Sequence, residues 1–182
     1  CYSESNDCVN RINEAEVSCL VKTHELRDDL LLNGDIVFTT RRDLRDTVAS
    51  ASRRGFPALK AVGGPIEYAK YNRNLHDIWW PYSTHEVVYE DFMTAPMKVI
   101  NKVVGILKLE DLDEREIYRS VVNLPVDQYE TTLLSPTHIT DPSRMLSYAD
   151  TLNPVVLEQI ESQHVWWLTR FDYEYKRPLS PK

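Results

Sequence analysis

Two short apolar runs near the start of the chain, each followed by basic residues, constrain its fold most strongly. Val17 to Val21 and Ile36 to Thr40 have the composition of strands, and the turn signal Asn33-Gly34-Asp35 precedes the second run. Residues 44–54 then carry apolar side chains at helical spacing, with Asp43 as the predicted N-cap. A strand that leads directly into a helix is typical of α/β proteins.

The same alternation continues along the chain. Glu86 to Tyr89 predicts a third strand, and the aromatic-rich stretch Ile66 to Trp80 predicts a helix. We further expect a loop over 56–65, helices over Ala95–Leu107, 113–123 and 153–175, irregular chain over 1–14, and a long loop over 125–152. Strands that alternate with helices imply a parallel sheet, and no repeat or linker divides the chain. We therefore predict one α/β domain over residues 1–182.

Charge is concentrated in one short segment. The chain has a formal net charge of −7, which disfavours a general nucleic-acid binder, because such proteins need a broad basic face. Residues 41–54 nevertheless contain five arginines and two aspartates. This basic segment predicts one anionic ligand at one place, although solvated arginines on a helix would give the same pattern. No run approaches the roughly 18 apolar residues of a membrane span.

Cysteine use and the first residue give two weaker indications. Cys1, Cys8 and Cys19 are an odd number without metal-type spacing, which favours a reducing compartment and a cytoplasmic location. We predict no metal site. The chain begins at Cys1 without an initiator Met or a signal-peptide pattern, so we expect that upstream sequence is missing.

Polar side chains follow the two N-terminal strands. Arg42 comes where the second strand ends and a helix begins, a position that favours an anion, and its guanidinium offers a bidentate fork to phosphate. Ser50 follows eight residues later and can donate its hydroxyl to the same group. The alternative is that Arg42 pairs with Asp43 or Asp46, and that Ser50 only packs.

The first strand ends on a second pair of candidate residues. Lys22 and His24 are two residues apart, so they share one face of the strand. A histidine near its ordinary pKa can take a proton from an attacking hydroxyl, and a lysine can offset charge on a transferring group. A purely structural histidine at a strand end is the competing interpretation.

Taken in order, these segments resemble the sulfotransferases that use 3′-phosphoadenosine 5′-phosphosulfate (PAPS). The resemblance rests on Lys22-Thr23-His24, on the run from Arg42 to Ser50, and on the segment Val87 to Phe92 that contains Tyr89-Glu90-Asp91. It implies that His24 is the catalytic base and that Lys22 contacts the transferring group. It also implies that Arg42 and Ser50 hold the 3′-phosphate and that Tyr89 lies near the adenine. Glu90 and Asp91 are expected to hold local structure.

Two parts of the family pattern are different in this sequence. The loop Ser135 to Thr140 resembles the late loop that covers the cofactor in some bacterial members, but the usual Arg-Lys-Gly element is absent, and Arg144 could substitute for it. Nothing matches the family's first strand and phosphosulfate-binding loop. The resemblance therefore implies a P-loop-like three-layer fold, with a central parallel sheet and flanking helices, from which the first strand-loop-helix unit is missing.

The function implied is transfer of a sulfuryl group from PAPS to a hydroxyl or amine, which leaves adenosine 3′,5′-bisphosphate. The acceptor would be a small molecule, a carbohydrate or a lipid. Aromatic residues at 68, 71, 79, 80 and 82 could line its pocket, with core packing as the alternative. Two other functions stay open: a non-catalytic nucleotide-binding or interaction module on the same fold, and a related P-loop phosphoryl transferase. The second would need a Walker-type lysine and a magnesium-binding carboxylate, neither of which is evident.

Overall fold

A computed structural model describes residues 36–109, 113–122, 145 and 147–173. The predicted strand Val17–Val21 lies outside the described residues, together with Lys22 and His24. Arg144 and most of the predicted loop 125–152 also lie outside them. The described part of the protein is mostly helical, with a small parallel sheet.

The sheet contains two described strands, β1 (Phe38–Arg41) and β2 (His85–Val88). They pair in parallel, with Phe38 opposite His85 and Arg41 opposite Val88. The parallel pairing predicted from the alternation of strands and helices is thus confirmed. Because parallel neighbours cannot be joined by a hairpin, the intervening chain crosses over through helices. The strand predicted over Glu86–Tyr89 is one residue too late, since Tyr89 already begins a helix.

Helix α1 (Leu44–Arg53) follows β1 after a two-residue connection, as predicted. Its first turn is capped by Asp43, whose Oδ1 accepts a hydrogen bond from the backbone N–H of Arg45 at 2.8 Å. A carboxylate at this position satisfies an N–H group that has no partner within the helix. Leu44, Val48 and Ala51 are buried, which confirms the predicted apolar face.

The predicted loop over 56–65 is wrong in part, because it contains helix α2 (Pro57–Ala61). Pro57 has the fixed φ of a first helical residue and has no N–H to leave unpaired there. Gly63 and Gly64, at φ 101° and 108°, then reverse the chain in a conformation that side chains rarely adopt. Helix α3 (Pro65–Trp79) follows, and a short 3₁₀ helix (Trp80–Tyr82) leads into β2.

Every element described after β2 is a helix. The helices are α4 (Tyr89–Thr94), α5 (Pro96–Leu107), α6 (Glu114–Val122) and α7 (Tyr148–Thr151). Helix α7 falls inside the predicted long loop 125–152, so that prediction is wrong at its C-terminal end. No described helix is long and apolar enough to cross a membrane.

The predicted C-terminal helix over 153–175 is two helices, α8 (Pro154–Gln163) and α9 (Val165–Arg170). Asn153 caps the first through its side chain, as expected for a helix that begins on proline. The break falls at His164, whose carbonyl accepts hydrogen bonds from the N–H groups of Trp167 and Leu168. The side chains of both of these residues are buried.

The hydrophobic core surrounds α1, which packs against α3, α7 and α8. Its members come from the whole described chain: Leu44, Val48, Ala49, Ala51, Tyr68, Ala69, Tyr148, Leu152, Ile160, Trp167, Leu168 and Tyr173. Helix α1 therefore has a fixed position relative to the end of β1, and so do the residues that join them.

Candidate anion-binding site

The candidate site lies where the two parallel strands end. Arg42 directly follows β1, and Tyr89 directly follows β2. Because the last residues of the two strands are in register, the residues that follow them meet at the same edge of the sheet. The Arg42 guanidinium carbon stands 4.1 Å from the centre of the Tyr89 ring, in a cation–π contact. The structure thus brings together two of the residues that the sequence suggested for cofactor binding.

Three polar atoms of this pair are buried without a hydrogen-bond partner among the described residues. They are Nε and Nη2 of Arg42 and the hydroxyl of Tyr89. A buried polar group without a partner costs about 1–3 kcal/mol, and more when it is charged. Both residues are only partly buried as a whole, so the stack reaches the surface. The arrangement favours a ligand that supplies acceptors.

The neighbouring Arg41 shows what such a guanidinium edge can hold. Its Nε and Nη2 donate to the two carboxylate oxygens of Glu86, at 3.0 and 2.9 Å. The same two nitrogens are the unpaired ones in Arg42. Two oxygens of a phosphate or sulfate can occupy this edge in the same bidentate way.

Arg45 has a full set of partners, unlike Arg42. Its Nε and Nη2 donate to the carboxylate of Asp43, Nη1 donates to Glu161 at 2.9 Å, and Nη2 also reaches the carbonyl of Tyr173. The Asp43 carboxylate is therefore occupied by Arg45, and Nε and Nη2 of Arg42 remain without a partner in the described structure. Of the predicted alternative, in which Arg42 pairs with Asp43 or Asp46, the pairing with Asp43 is not what the structure shows.

The remaining arginines of the basic segment also have partners. Arg53 Nη1 donates to the hydroxyls of Ser147 and Thr151, at 3.0 and 2.9 Å. Arg54 Nε makes a long hydrogen bond of 3.4 Å to the carbonyl of Ser50. Of the five arginines in this segment, Arg42 alone has a buried nitrogen without a partner in the described structure.

Ser50 is nearly buried in the next-to-last turn of α1, with 7 % of its surface exposed. It lies about 10 Å along the helix axis from the N-cap, at the usual rise per residue. Within the described residues its hydroxyl makes no hydrogen bond to Arg42. A shared role of Ser50 and Arg42 stays a prediction.

Glu90 joins the strand ends to the C-terminal segment. Its Oε1 accepts from the backbone N–H of Asp43 at 2.9 Å, and its Oε2 accepts from the Tyr173 hydroxyl at 3.0 Å. Burial, followed by the charge of Glu90, raises the pKa of Tyr173, so this hydroxyl remains a donor. The expectation that Glu90 holds local structure is confirmed.

Glu86 is the corresponding carboxylate on the strand itself. It accepts from Arg41, and its Oε1 also lies 3.1 Å from Nε2 of His76 on α3. Burial alone would raise the pKa of Glu86, but the hydrogen bonds from Arg41 and His76 hold it below its ordinary value. Sequence reasoning missed Glu86 and Tyr173 as neighbours of the site, because no local pattern links them to Arg42.

The five aromatic residues suggested for an acceptor pocket differ in burial, and Trp79 is partly buried. Tyr68 is buried in the core, which confirms the packing alternative for that residue. Tyr71, Trp80 and Tyr82 are exposed over more than a third of their surface. Trp80 packs against the rings of His76 and Phe171.

Comparison of the chain with protein-family models, with curated proteins and with solved structures gave no match. The interpretation of this edge of the sheet therefore rests on its own geometry. Lys22, His24 and Arg144 lie outside the described residues, and their predicted roles stay predictions.

Proposed function

We propose that the protein is a PAPS-dependent sulfotransferase domain in which Arg42 binds the 3′-phosphate of the cofactor. The observation that carries the proposal is the buried, unpaired Nε–Nη2 edge of Arg42, stacked on Tyr89 at the ends of two parallel strands. A P-loop-like three-layer fold is part of the proposal. The parallel pair and the strand-to-helix connection at Arg42 are consistent with it.

The chemistry of the edge fits a phosphate monoester. A divalent anion would give Arg42 the two acceptors it lacks, and the Tyr89 hydroxyl could donate to the same group or to the adjoining sugar and base. An anion is also opposed by the rest of a chain whose net charge is −7. Attraction of the anion would therefore come from the local basic segment, with Arg42 making the contact.

The proposed reaction gives roles to further residues, of which Lys22, His24 and Arg144 lie outside the described residues. When bound, the cofactor supplies an activated sulfuryl group. His24 takes the proton from the acceptor hydroxyl or amine, and Lys22 offsets negative charge on the sulfuryl oxygens. Ser50 and Arg144 add contacts to the cofactor phosphate. Tyr89 supports the adenine.

Thermal unfolding with three ligands tests the binding step. Adenosine 3′,5′-bisphosphate should stabilise the protein, by about 2.7 kcal/mol at a hundredfold excess over Kd, whereas adenosine 5′-monophosphate should give much less. Arg42→Met should lower the bisphosphate affinity at least tenfold, because a charge-assisted bidentate contact is lost. Arg54→Met, in the same basic segment, is the matched control and should bind normally.

Other responses to these ligands would contradict the proposal. Stabilisation by ATP with magnesium, but not by the bisphosphate, would favour a phosphoryl transferase. Equal responses of Arg42→Met and the wild type to the bisphosphate would remove the proposed site. No response to any nucleotide would favour an interaction module.

Turnover tests the catalytic step. His24→Ala should abolish sulfuryl transfer while leaving bisphosphate binding nearly intact, since a general base acts only on the acceptor. Loss of both in equal measure would argue against the base role of His24.

A further inference from the structure

The Arg42–Tyr89 stack is flanked on both sides by carboxylate contacts. Arg41 and Asp43 are the chain neighbours of Arg42, and each is bound by a carboxylate of the β2–α4 segment that contains Tyr89. Glu86 binds the side chain of Arg41, and Glu90 binds the backbone N–H of Asp43. One of these contacts precedes the stacked residues and the other follows them, in both the β1–α1 and the β2–α4 segments.

The first contact is nearly buried and reaches a third element. The side chains of Arg41 and Glu86 are 11 % and 17 % exposed, and they lie on the same face of the sheet. His76 on α3 holds the same carboxylate through Nε2. This contact fixes the register of β1 and β2 at the end where Arg42 emerges.

The second contact, between Glu90 and the backbone of Asp43, also involves the C-terminal segment. Tyr173 donates its hydroxyl to Glu90, and its ring lies 5.3 Å from the guanidinium carbon of Arg41. Tyr173 therefore touches both contacts. Glu90 in turn has both carboxylate oxygens occupied.

These contacts matter because an unpaired guanidinium would be stabilised by any carboxylate that was free to pair with it. Three carboxylates near Arg42, those of Asp43, Glu86 and Glu90, already accept hydrogen bonds from other donors. They fix the backbone on either side of Arg42 and leave its free edge without an internal partner. Preorganised donors bind an anion more tightly than donors that must first be ordered.

We propose that Glu90 and Glu86 are positioning residues, which hold Arg42 against Tyr89 with its buried Nε–Nη2 edge unpaired, so that both nitrogens are left to donate to a phosphate. This inference rests on the proposed function for the identity of the ligand, and on the contacts above for the geometry. Glu90 acts through Asp43 and Tyr173 and does not itself touch the ligand.

The test uses the full chain and separates positioning from stability. Glu90→Ala should weaken binding of adenosine 3′,5′-bisphosphate about tenfold by calorimetry, whereas Glu90→Gln, which keeps an acceptor for the Asp43 N–H, should stay within about threefold. Glu161→Ala is the matched control, because it removes a carboxylate from Arg45 instead. It should lower the unfolding temperature and leave the affinity unchanged.

A measurement without ligand makes the inference independent of the proposed function. The buried Nε–H of Arg42 should give a distinct signal in a ¹⁵N–¹H spectrum, assigned by its loss in Arg42→Met. Glu90→Ala should shift or broaden this signal, and Glu90→Gln and Glu161→Ala should not. Tyr173→Phe, which removes only the hydroxyl, should give a smaller shift and serves if Glu90→Ala does not fold.

The outcomes are distinct. If the wild type fails to bind the bisphosphate, the proposed function is wrong, and the Arg42 signal still decides the positioning role. If the wild type binds and Glu90→Ala binds equally well, the positioning role is wrong and the function stands. Equal losses of affinity in Glu90→Ala and Glu161→Ala would also overturn the positioning role, because both losses would then reflect lower stability alone. In an Arg42→Met background, Glu90→Ala should have no further effect on affinity.

Discussion

Arg42 and Arg45 are three positions apart in the sequence, yet their surroundings are opposite. Arg45 is 1 % exposed, and its guanidinium donates to two carboxylates and a carbonyl. The guanidinium carbon also lies 4.4 Å from the centre of the Tyr148 ring. Arg42 has an aromatic ring on its face and no hydrogen-bond partner for two of its nitrogens in the described structure. Arg45 thus ties together α1, α8 and the C-terminal segment.

The difference teaches how to separate a structural arginine from a binding one. A buried charge is tolerated when its hydrogen-bonding groups are satisfied within the protein, as they are around Arg45. A guanidinium that is desolvated but unsatisfied lowers stability in the free protein and can recover that free energy on a ligand. Both guanidinium groups are at least partly buried, so burial by itself does not say which one is structural. The number of satisfied nitrogens does.

The largest expected effect comes from exchanging each arginine for methionine. Arg45→Met leaves Asp43 and Glu161 without their cation and should lower the free energy of unfolding by about 3–5 kcal/mol. Arg42→Met should change it by no more than about 1 kcal/mol, since the lost cation–π contact is offset by removal of unpaired buried nitrogens. Urea denaturation measures both. Similar losses in the two variants would break the comparison.

A smaller effect on stability should follow from acidification, through the buried His164. Burial, then the charges of Arg73 and Lys70, lowers the pKa of His164 from its ordinary value of 6.5 to about 4. The unfolded chain therefore binds a proton that the folded protein excludes. Stability should be complete above about pH 6.5 and fall toward pH 4, by roughly 2–3 kcal/mol in all.

Urea midpoints between about pH 7 and pH 5 measure this slope. His164→Gln keeps an acceptor for Arg73 Nη1, which lies 3.2 Å from Nδ1 of the histidine, and it does not titrate. The variant should show a flatter dependence on pH than the wild type. An unchanged slope would place the titrating group elsewhere.

The smallest effect is expected for Arg54, an exposed arginine that can be compared with the buried Arg45. Its contacts are a 3.4 Å hydrogen bond and a distant ring, and the residue is exposed. Arg54→Met should alter the free energy of unfolding by less than about 0.5 kcal/mol. A loss as large as that of Arg45→Met would mean that the whole basic segment is structural.

Local features of the fold were predictable from the sequence, since their causes are local. The cap of α1 by Asp43 and the start of α8 at Pro154 follow from side-chain chemistry within one turn. The meeting of Arg42 and Tyr89 was also within reach, because parallel strands place the residues that follow them at one edge.

Features that depend on distant parts of the chain were not predictable. The partners of Arg45 include Glu161 and Tyr173, which are 116 and 128 residues away in the sequence. The break at His164 likewise depends on how α9 packs, because the apolar spacing there is compatible with one continuous helix. Tertiary packing decided both.

Tyr173 contributes to the surroundings of both Arg45 and the Arg42–Tyr89 stack, through two different chemical groups. Its carbonyl serves Arg45, and every amino acid would provide that carbonyl. Its hydroxyl serves Glu90, and only tyrosine provides it there. Exchange of this tyrosine for phenylalanine would keep the carbonyl and the buried ring and remove only the hydroxyl, so that a single oxygen atom at residue 173 could retune affinity in a protein that still folds.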